Sequence, residues 1–273
     1  MRAPSPLVSV LMPVYNAGRY LCEALDSIAG QSVADWECVV VDDGSDDESP
    51  ELLAQRAGRD GRFRLIRSSA NHGIVDALNR GLAACGGRYI ARMDADDIAM
   101  PDRIARQLAA MEADPGIVAL GGRLRYMTED GRDMGVERSC ALGGSYLRAS
   151  PLLHPTVMMR MDALRQHGLR YMEKYRYAED YYLWLQLARH GRLSALEEVV
   201  LHYRVSPGAS RVKNLRAMIK AMLRVKRDAM VRLGYRPSCG DIARFMGEAA
   251  LLAFPARLVW AVYNRLALRG GVQ

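Results

Sequence analysis

In the segment Tyr89-Ile90-Ala91-Arg92-Met93-Asp94-Ala95-Asp96-Asp97 an apolar run ends in three clustered carboxylates. In an extended chain, residues two apart project to the same side. Asp94 and Asp96 can therefore converge on one ion while Ala95 points away. Hard divalent cations take oxygen ligands and carry phosphates with them, so this spacing suits Mg²⁺ or Mn²⁺ holding a phosphorylated substrate; an acidic run on the surface is the other reading. A second acidic pair, Glu179-Asp180, stands immediately before the apolar stretch Tyr181–Ala188. A carboxylate near a helix N-terminus is stabilised in its charged form, which makes it available as a base toward a hydroxyl; the same pattern also describes plain helix capping. Asp42-Asp43-Gly44-Ser45 is open in the same way. It reads as a carboxylate accepting from a nucleoside base or ribose, or as a turn followed by a cap. His154-Pro155-Thr156 offers an imidazole to a phosphate or an acceptor, or a structural hydrogen bond. His72 is a weaker phosphate contact, and no histidine spacing suits zinc.

The elements that must position these groups follow from hydrophobic periodicity. Strands are expected at Leu7–Met12, Cys38–Val41, Phe63–Arg67 and Arg88–Met93, alternating with helices in Asn16–Gln31, Glu48–Ala57 and Gly73–Cys85. Pro101 fits the first turn of a helix over 101–113. Ile117–Leu120 returns as a strand, Arg123–Val136 forms a hairpin around Asp130-Gly131, Pro155–Met161 and Val199–Val205 read as strands, and Tyr181–Ala188 as a helix. From Arg211 onward the chain reads as helices, broken near Gly234–Pro237 and at Pro255. This is an α/β pattern. Open α/β sheets bind ligands beyond the C-terminal ends of their strands. The polar groups gather at those ends: Pro13–Asn16, Asp42–Ser45, Asn71–Gly73 and Asp94–Asp97. No GxGxxG and no GxxxxGK[ST] is present, so a nucleotide is expected across the strand ends and not in a glycine-rich phosphate loop.

Half of the 273 residues are apolar and a quarter are charged, enough for a substantial core. Five dispersed cysteines, Cys22, Cys38, Cys85, Cys140 and Cys239, form no CxxC and read as thiols in a reducing compartment. The first apolar segment is cut by Pro13, too short for a signal peptide, and a cytoplasmic location is expected. The net charge of +7 is uneven: residues 204–273 hold 14 Lys or Arg against 3 Asp or Glu, a net +11, which leaves −4 for residues 1–203. No nucleic-acid-binding motif accompanies the basic segment. Apolar Leu251, Leu252, Phe254, Leu258, Val259, Trp260, Val262, Tyr263 and Leu266 are interleaved with Arg257, Arg265 and Arg269. That interleaving suits an interfacial element on an anionic membrane surface, at the inner face of the cytoplasmic membrane, with packing on the catalytic domain as the other reading. Pro255, Arg257 and Arg265 interrupt any simple membrane span.

Together these motifs closely resemble glycosyltransferase family 2. The resemblance is carried by Val10-Leu11-Met12-Pro13-Val14-Tyr15-Asn16, Val39-Val40-Val41-Asp42-Asp43-Gly44-Ser45, Asn71-His72-Gly73, Ala77-Leu78-Asn79-Arg80-Gly81, Ala91–Asp97, His154-Pro155-Thr156 and Ala178–Trp184, spread over residues 7–206. It implies a GT-A fold, a Rossmann-like mixed sheet flanked by helices. The catalytic domain would be 1–206, with 7–120 on the donor side and 121–206 on the acceptor side, followed by a basic amphipathic helical extension, 207–273. By the same resemblance Pro13, Val14, Tyr15, Asn16, Asp42, Asp43, Asn71, Gly73, Asn79, Asp94 and Ala95 bind the nucleotide sugar. Asp96 is the direct metal ligand, with Asp94 contacting ribose or completing the metal shell. Asp180 is the catalytic base, and Glu179, His154 and Trp184 orient the acceptor.

The implied reaction is an inverting transfer from a nucleoside diphosphate sugar, UDP-sugar by family precedent, to a hydroxyl of a glycan or lipid-linked acceptor in surface polysaccharide or lipopolysaccharide synthesis. The chain lacks the QxxRW segment of processive members, and Leu201–Arg211 resembles the end of small non-processive bacterial enzymes, which implies transfer of one sugar per acceptor. A sugar-nucleotide-forming nucleotidyltransferase could also use strand-end carboxylates and Mg²⁺, but it would carry a glycine-rich basic loop where this chain has Pro13–Asn16. A non-catalytic membrane- or polysaccharide-binding module could keep the fold and tail but would transfer nothing.

Overall fold

The structure is a computed structural model that describes residues 5–205, 210–255 and 259. In chain order the elements are β1 (Val8–Val14), α1 (Gly18–Ala29), β2 (Trp36–Asp42), α2 (Ser49–Arg59), β3 (Phe63–Arg67), α3 (Ile74–Ala84), β4 (Tyr89–Arg92), β5 (Ile98–Ala99), α4 (Arg103–Ala113), β6 (Ile117–Met127), β7 (Asp133–Arg138), β8 (Met158–Arg160), α5 (Met161–Gln166), α6 (Glu179–Leu187), β9 (Arg192–Arg204), α7 (Ser210–Arg232) and α8 (Cys239–Ala250). The strands form one mixed sheet in the order β3-β2-β1-β4-β8-β6-β9-β5, with β7 paired to β6. The first four run parallel, whereas β8 lies antiparallel between β4 and β6.

Every residue of β1 and β2 is buried, as parallel strands covered on both faces must be. Their side chains alternate between two cores. Val10, Met12 and Val40 face α1 and α4 through Leu21, Leu25, Ile28, Ile104 and Met111. Leu11, Val39 and Val41 face α3 and α6 through Val75, Leu78, Leu183, Trp184 and Leu187. The α6 sequence is apolar nearly all round, which suits a helix covered on both sides. Its far face carries Tyr181, Tyr182 and Leu185 against Ala221, Val225 and Ala229 of α7. The basic extension thus begins as a helix packed on the element that presents Glu179 and Asp180.

Two expectations need correction. Pro155–Met161 is not one strand: His154–Thr156 is a 3-10 turn and β8 starts only at Met158, because Pro155 has no N–H to give a ladder. The last strand of the sheet starts at Arg192, well before Val199, since its early residues pair with Ile117–Gly121 despite the exposed Glu197 and Glu198. The short β5 was not visible in the sequence pattern. Of the apolar residues expected at a membrane interface, Leu258, Trp260, Val262, Tyr263 and Leu266 lie outside the described residues.

Candidate active site

In the order β3-β2-β1-β4 the chain direction of winding reverses at β1, and the crevice beyond the strand ends at such a point is where open sheets bind ligands. A cleft of about 630 Å³ opens there. Among the described residues it is lined by Pro13, Val14, Tyr15 and Asn16 from the end of β1, Asp43 from the end of β2, Asn71 and Gly73 before α3, Asp94, Ala95 and Asp96 after β4, and Arg176, Tyr177 and Glu179 before and at the start of α6.

The cleft rim is tied together by polar side chains of neighbouring strand ends. Asn16 adopts a left-handed φ of 51°, a conformation asparagine tolerates better than most residues. Its side chain donates to Asp46 Oδ1 at 2.7 Å and accepts from the Asp46 N–H at 3.0 Å. Gly44, at φ 76°, passes so close to the Ala70 backbone that a Cβ would lie 2.5 Å from its carbonyl carbon. Only glycine fits there. That approach lets the Asp43 carboxylate accept from the backbone N–H groups of His72, at 3.0 Å, and Gly73, at 2.7 Å.

The acidic pair after β2 therefore divides. Asp43 reaches the cleft surface, whereas Asp42 is fully buried, accepts from the Ser45 N–H at 3.0 Å and lies 3.4 Å from Arg67 Nε. Asn79 does not line the cleft either. Its amide clasps the backbone of Tyr171, donating to the carbonyl at 2.9 Å and accepting from the N–H at 3.0 Å. Trp184 is wholly buried, and His154 packs edge-on against it while its Nε2 is 2.8 Å from the Tyr171 hydroxyl. Burial, and then the charge of Arg92, hold His154 well below its ordinary range. Trp184 thus sits in the core with half-buried His154 packed on it, neither lines the cleft, and Asp42 and Asn79 brace the loops around it.

Asp94, Asp96 and Asp97 bring carboxylate oxygens within 4.8 Å of one another. Arg92 grips Asp94 with both guanidinium arms, the longer contact 2.7 Å. Asp97 is completely buried; one oxygen accepts from the Arg204 N–H at 3.0 Å and the other has no protein partner. Arg204 also donates through Nε to the Asp96 carbonyl at 2.8 Å, so the end of β9 closes the floor of the site. Burial, and then the charge of Asp94, push Asp96 up to about 6. Burial and the charges of Asp94 and Asp96 push Asp97 well up. An orphaned, buried carboxylate oxygen beside two like-charged neighbours fits a bound divalent cation.

Glu179 and Asp180 open α6 on the other side of Arg92. Burial, and then the charge of Asp180, push Glu179 up to about 7. Burial also raises Asp180, opposed by the Tyr181 N–H and by Arg92. Asp180 does not itself line the cleft and lies behind Glu179, within electrostatic reach of Asp94. Arg92, only 4% exposed, is thus the shared cation beneath two acidic groups. Its single signal in the sequence was an arginine inside an otherwise apolar strand. Arg204 and Tyr171 carried no signal, because their partners lie far away along the chain; Arg176 and Tyr177 reach the cleft through the fold of the chain before α6, which leaves no local pattern.

These raised acids fix a pH dependence. The metal-free folded chain holds protons on Asp96 and Glu179 at pH values where the unfolded chain has lost them, so the contribution of these two groups to stability is present below about pH 4 and is lost as pH rises through about 6 to 7. A cation held by the cluster would displace the proton of Asp96. Thermal melts should show Mn²⁺ stabilising the chain more at about pH 8 than at about pH 5; an equal shift at both would remove the cluster as the cation site.

Residues 9–173 match the family described as "Glycosyl transferase family 2". A Haemophilus influenzae protein named as an uncharacterized glycosyltransferase is 34% identical over 73% of this chain. The chain spans 66% of that relative's length. Among solved structures, a mannosyltransferase from Pyrobaculum calidifontis in complex with GDP-Man and Mn²⁺ superposes with a TM-score of 0.65 at 21% identity, covering 97% of this chain and 81% of that one. S. aureus TarS in complex with UDP-GlcNAc superposes at 0.64 and 19% identity, covering 80% and 66%. These likenesses show the GT-A fold, a Rossmann-like mixed α/β sheet with a C-terminal helical extension, and the family match shows that this chain belongs to glycosyltransferase family 2.

Proposed function

We propose that the chain is an inverting hexosyltransferase that moves one sugar from a nucleoside diphosphate sugar, preferably a UDP-sugar, to a hydroxyl of a glycan or lipid-linked acceptor in surface polysaccharide or lipopolysaccharide synthesis. The observation that carries this reading is the pairing of two carboxylate groups around one cleft, the Asp94–Asp96–Asp97 cluster and Glu179–Asp180, with buried Arg92 beneath both. Residues 7–120 would hold the donor and 121–206 the acceptor. Pro13–Asn16 and Asp43 would seat the nucleoside, while Asn71 and Gly73 face the phosphates. Asp96, Asp94 and Asp97 would hold Mg²⁺ or Mn²⁺, which when bound neutralises negative charge on the departing diphosphate.

In the single displacement, Asp180 takes the proton of the acceptor hydroxyl. The oxygen forms a bond to the anomeric carbon as the bond to the nucleoside diphosphate breaks, and the configuration inverts. Raising Asp180 by burial makes it a stronger base than a solvated aspartate, and the Tyr181 N–H and Arg92 limit that rise. Binding and hydrolysis should be measured with Mn²⁺ or Mg²⁺ across UDP-, GDP- and dTDP-sugars. One base should be bound selectively, and no binding to any of them would overturn the reading.

Membrane association extends the proposal. No helix of the described residues is long and apolar enough to cross a membrane. Yet α8 exposes Ile242 and Met246, with Phe254 beyond it, in the segment of net charge +11. Apolar contact plus basic charge suits an anionic lipid surface. The full chain should cosediment with phosphatidylglycerol vesicles and be released by salt; recovery in the supernatant from both anionic and neutral vesicles would sink this part.

A further inference from the structure

The cleft is lined by four acids, Asp43, Asp94, Asp96 and Glu179, and among its described lining residues Arg176 is the only lysine or arginine. Buried Arg92 and Arg204 stand close by but are spent on protein groups: Arg92 on Asp94, Arg204 on the Asp96 and Glu129 carbonyls and Glu23. Arg176 is not. Its side chain is half exposed, and among the described residues its one ion-pair partner is the exposed Glu173, 3.7 Å away. Its guanidinium carbon lies 3.6 Å from where a Cβ on Gly73 would be, so it lies over the residue that caps the N-terminus of α3. Among the described lining residues, a diphosphate entering this acidic cleft meets a cationic side chain only at this point, beside backbone N–H groups that favour anions.

What holds Arg176 there comes from the C-terminal extension. Glu173–Tyr175 form a 3-10 turn, and Tyr177, at φ 76°, turns the chain into α6. Asp228 of α7, buried, accepts from Lys174 Nζ at 2.5 Å and from the Tyr175 hydroxyl at 2.8 Å. Arg224 of α7 donates to the Lys174 carbonyl at 2.8 Å. Tyr175 stacks on Tyr182 of α6 at 3.8 Å. The strap over residues 173–177 is therefore pinned from below by α7 and reaches over the cleft with its next two residues. A left-handed non-glycine backbone such as that of Tyr177 persists where its surroundings impose it.

We propose that Arg176 supplies the protein's own positive charge to the donor diphosphate, and that Asp228, acting through Lys174 and Tyr175, is the positioning residue that keeps the strap over the cleft. This rests on the nucleoside-diphosphate-sugar reading above. Its test is titration of the full chain, with Mn²⁺, by UDP, GDP and dTDP, and by the free nucleoside of whichever binds. Arg176→Gln should weaken the diphosphate about tenfold or more and leave the nucleoside unchanged, with Arg176→Lys recovering part of the loss. Asp228→Asn should lower the same diphosphate-to-nucleoside ratio. If that variant does not fold, Tyr175→Phe removes one hydrogen bond from the same pin and should act in the same direction.

A merely structural role would lower the melting temperature and leave the ratio intact, which would overturn the positioning part. An unchanged ratio in Arg176→Gln, with wild type still binding a diphosphate, would overturn the charge assignment alone. A wild type that binds no nucleoside diphosphate would overturn the functional reading and this inference together.

Discussion

Asp180→Asn should abolish transfer, lowering turnover by about 10²–10⁴-fold, while donor affinity stays within about twofold of wild type. The asparagine keeps the shape of the side chain but has no basic lone pair for the acceptor proton. Asp180 does not line the donor cleft and is held among Arg92, the Tyr181 N–H and Asp94, so its loss leaves the donor contacts in place. Calorimetric titration of the nucleoside diphosphate sugar, run beside a transfer assay, separates the two effects. Turnover retained within about tenfold would move the base elsewhere, with Glu179 the next group to test because it lines the cleft and burial pushes it up to about 7.

Asp96→Ala should do the opposite, removing metal-dependent donor binding together with turnover. Asp94 stays clamped by Arg92, and Asp97 stays fixed by the Arg204 N–H, so the loss falls on the cation and on the diphosphate it neutralises. An added stability effect follows. The three carboxylates repel one another within 4.8 Å, and deleting one relieves that repulsion, so the metal-free variant should melt higher than metal-free wild type near neutral pH. Wild type should recover the difference when Mn²⁺ is added and the variant should not. Activity traded for stability is common where like charges are held together for function. Equal Mn²⁺ responses in the two proteins would place the cation on other groups.

The strand ends were legible in the sequence because period-two apolar runs and the polar turns that follow them are local features. Leu7–Met12 and Cys38–Val41 were each placed within two residues of the observed β1 and β2. So was the convergence of Pro13–Asn16, Asp43, Asn71, Gly73 and Asp94–Asp96 on one cleft. What stayed hidden depends on contacts between distant residues. Arg204 reaches Asp97 across 107 residues and Asn79 reaches Tyr171 across 92, and neither pairing leaves a local pattern. The same limit explains Asp42 and Asp43. Adjacent residues on a strand end face opposite sides, and which one meets the cleft is decided by where the Asn71–Gly73 loop is drawn in by the close approach of Gly44 to Ala70. Trp184 was read as an acceptor contact from the family resemblance of Ala178–Trp184; on a helix covered by both the sheet and α7, that position turns inward.

The clip between Asp97 and Arg204 has a consequence for how the site comes into being on the ribosome. N-terminal units fold first as a chain emerges, and β1 to β4 with their helices have all the strands of the parallel half by residue 92. The carboxylate cluster is synthesised soon afterwards, yet the amide and guanidinium that hold Asp97 and the Asp96 carbonyl arrive only with residue 204. For about 40% of its synthesis, from residue 97 to residue 204 of 273, a nascent chain therefore carries three crowded carboxylates without the strand that fastens them, and the clip forms only once β9 lies between β6 and β5. A chain assembled in this order fastens its carboxylate cluster only after nearly all of residues 121–206, the proposed acceptor side, have been made.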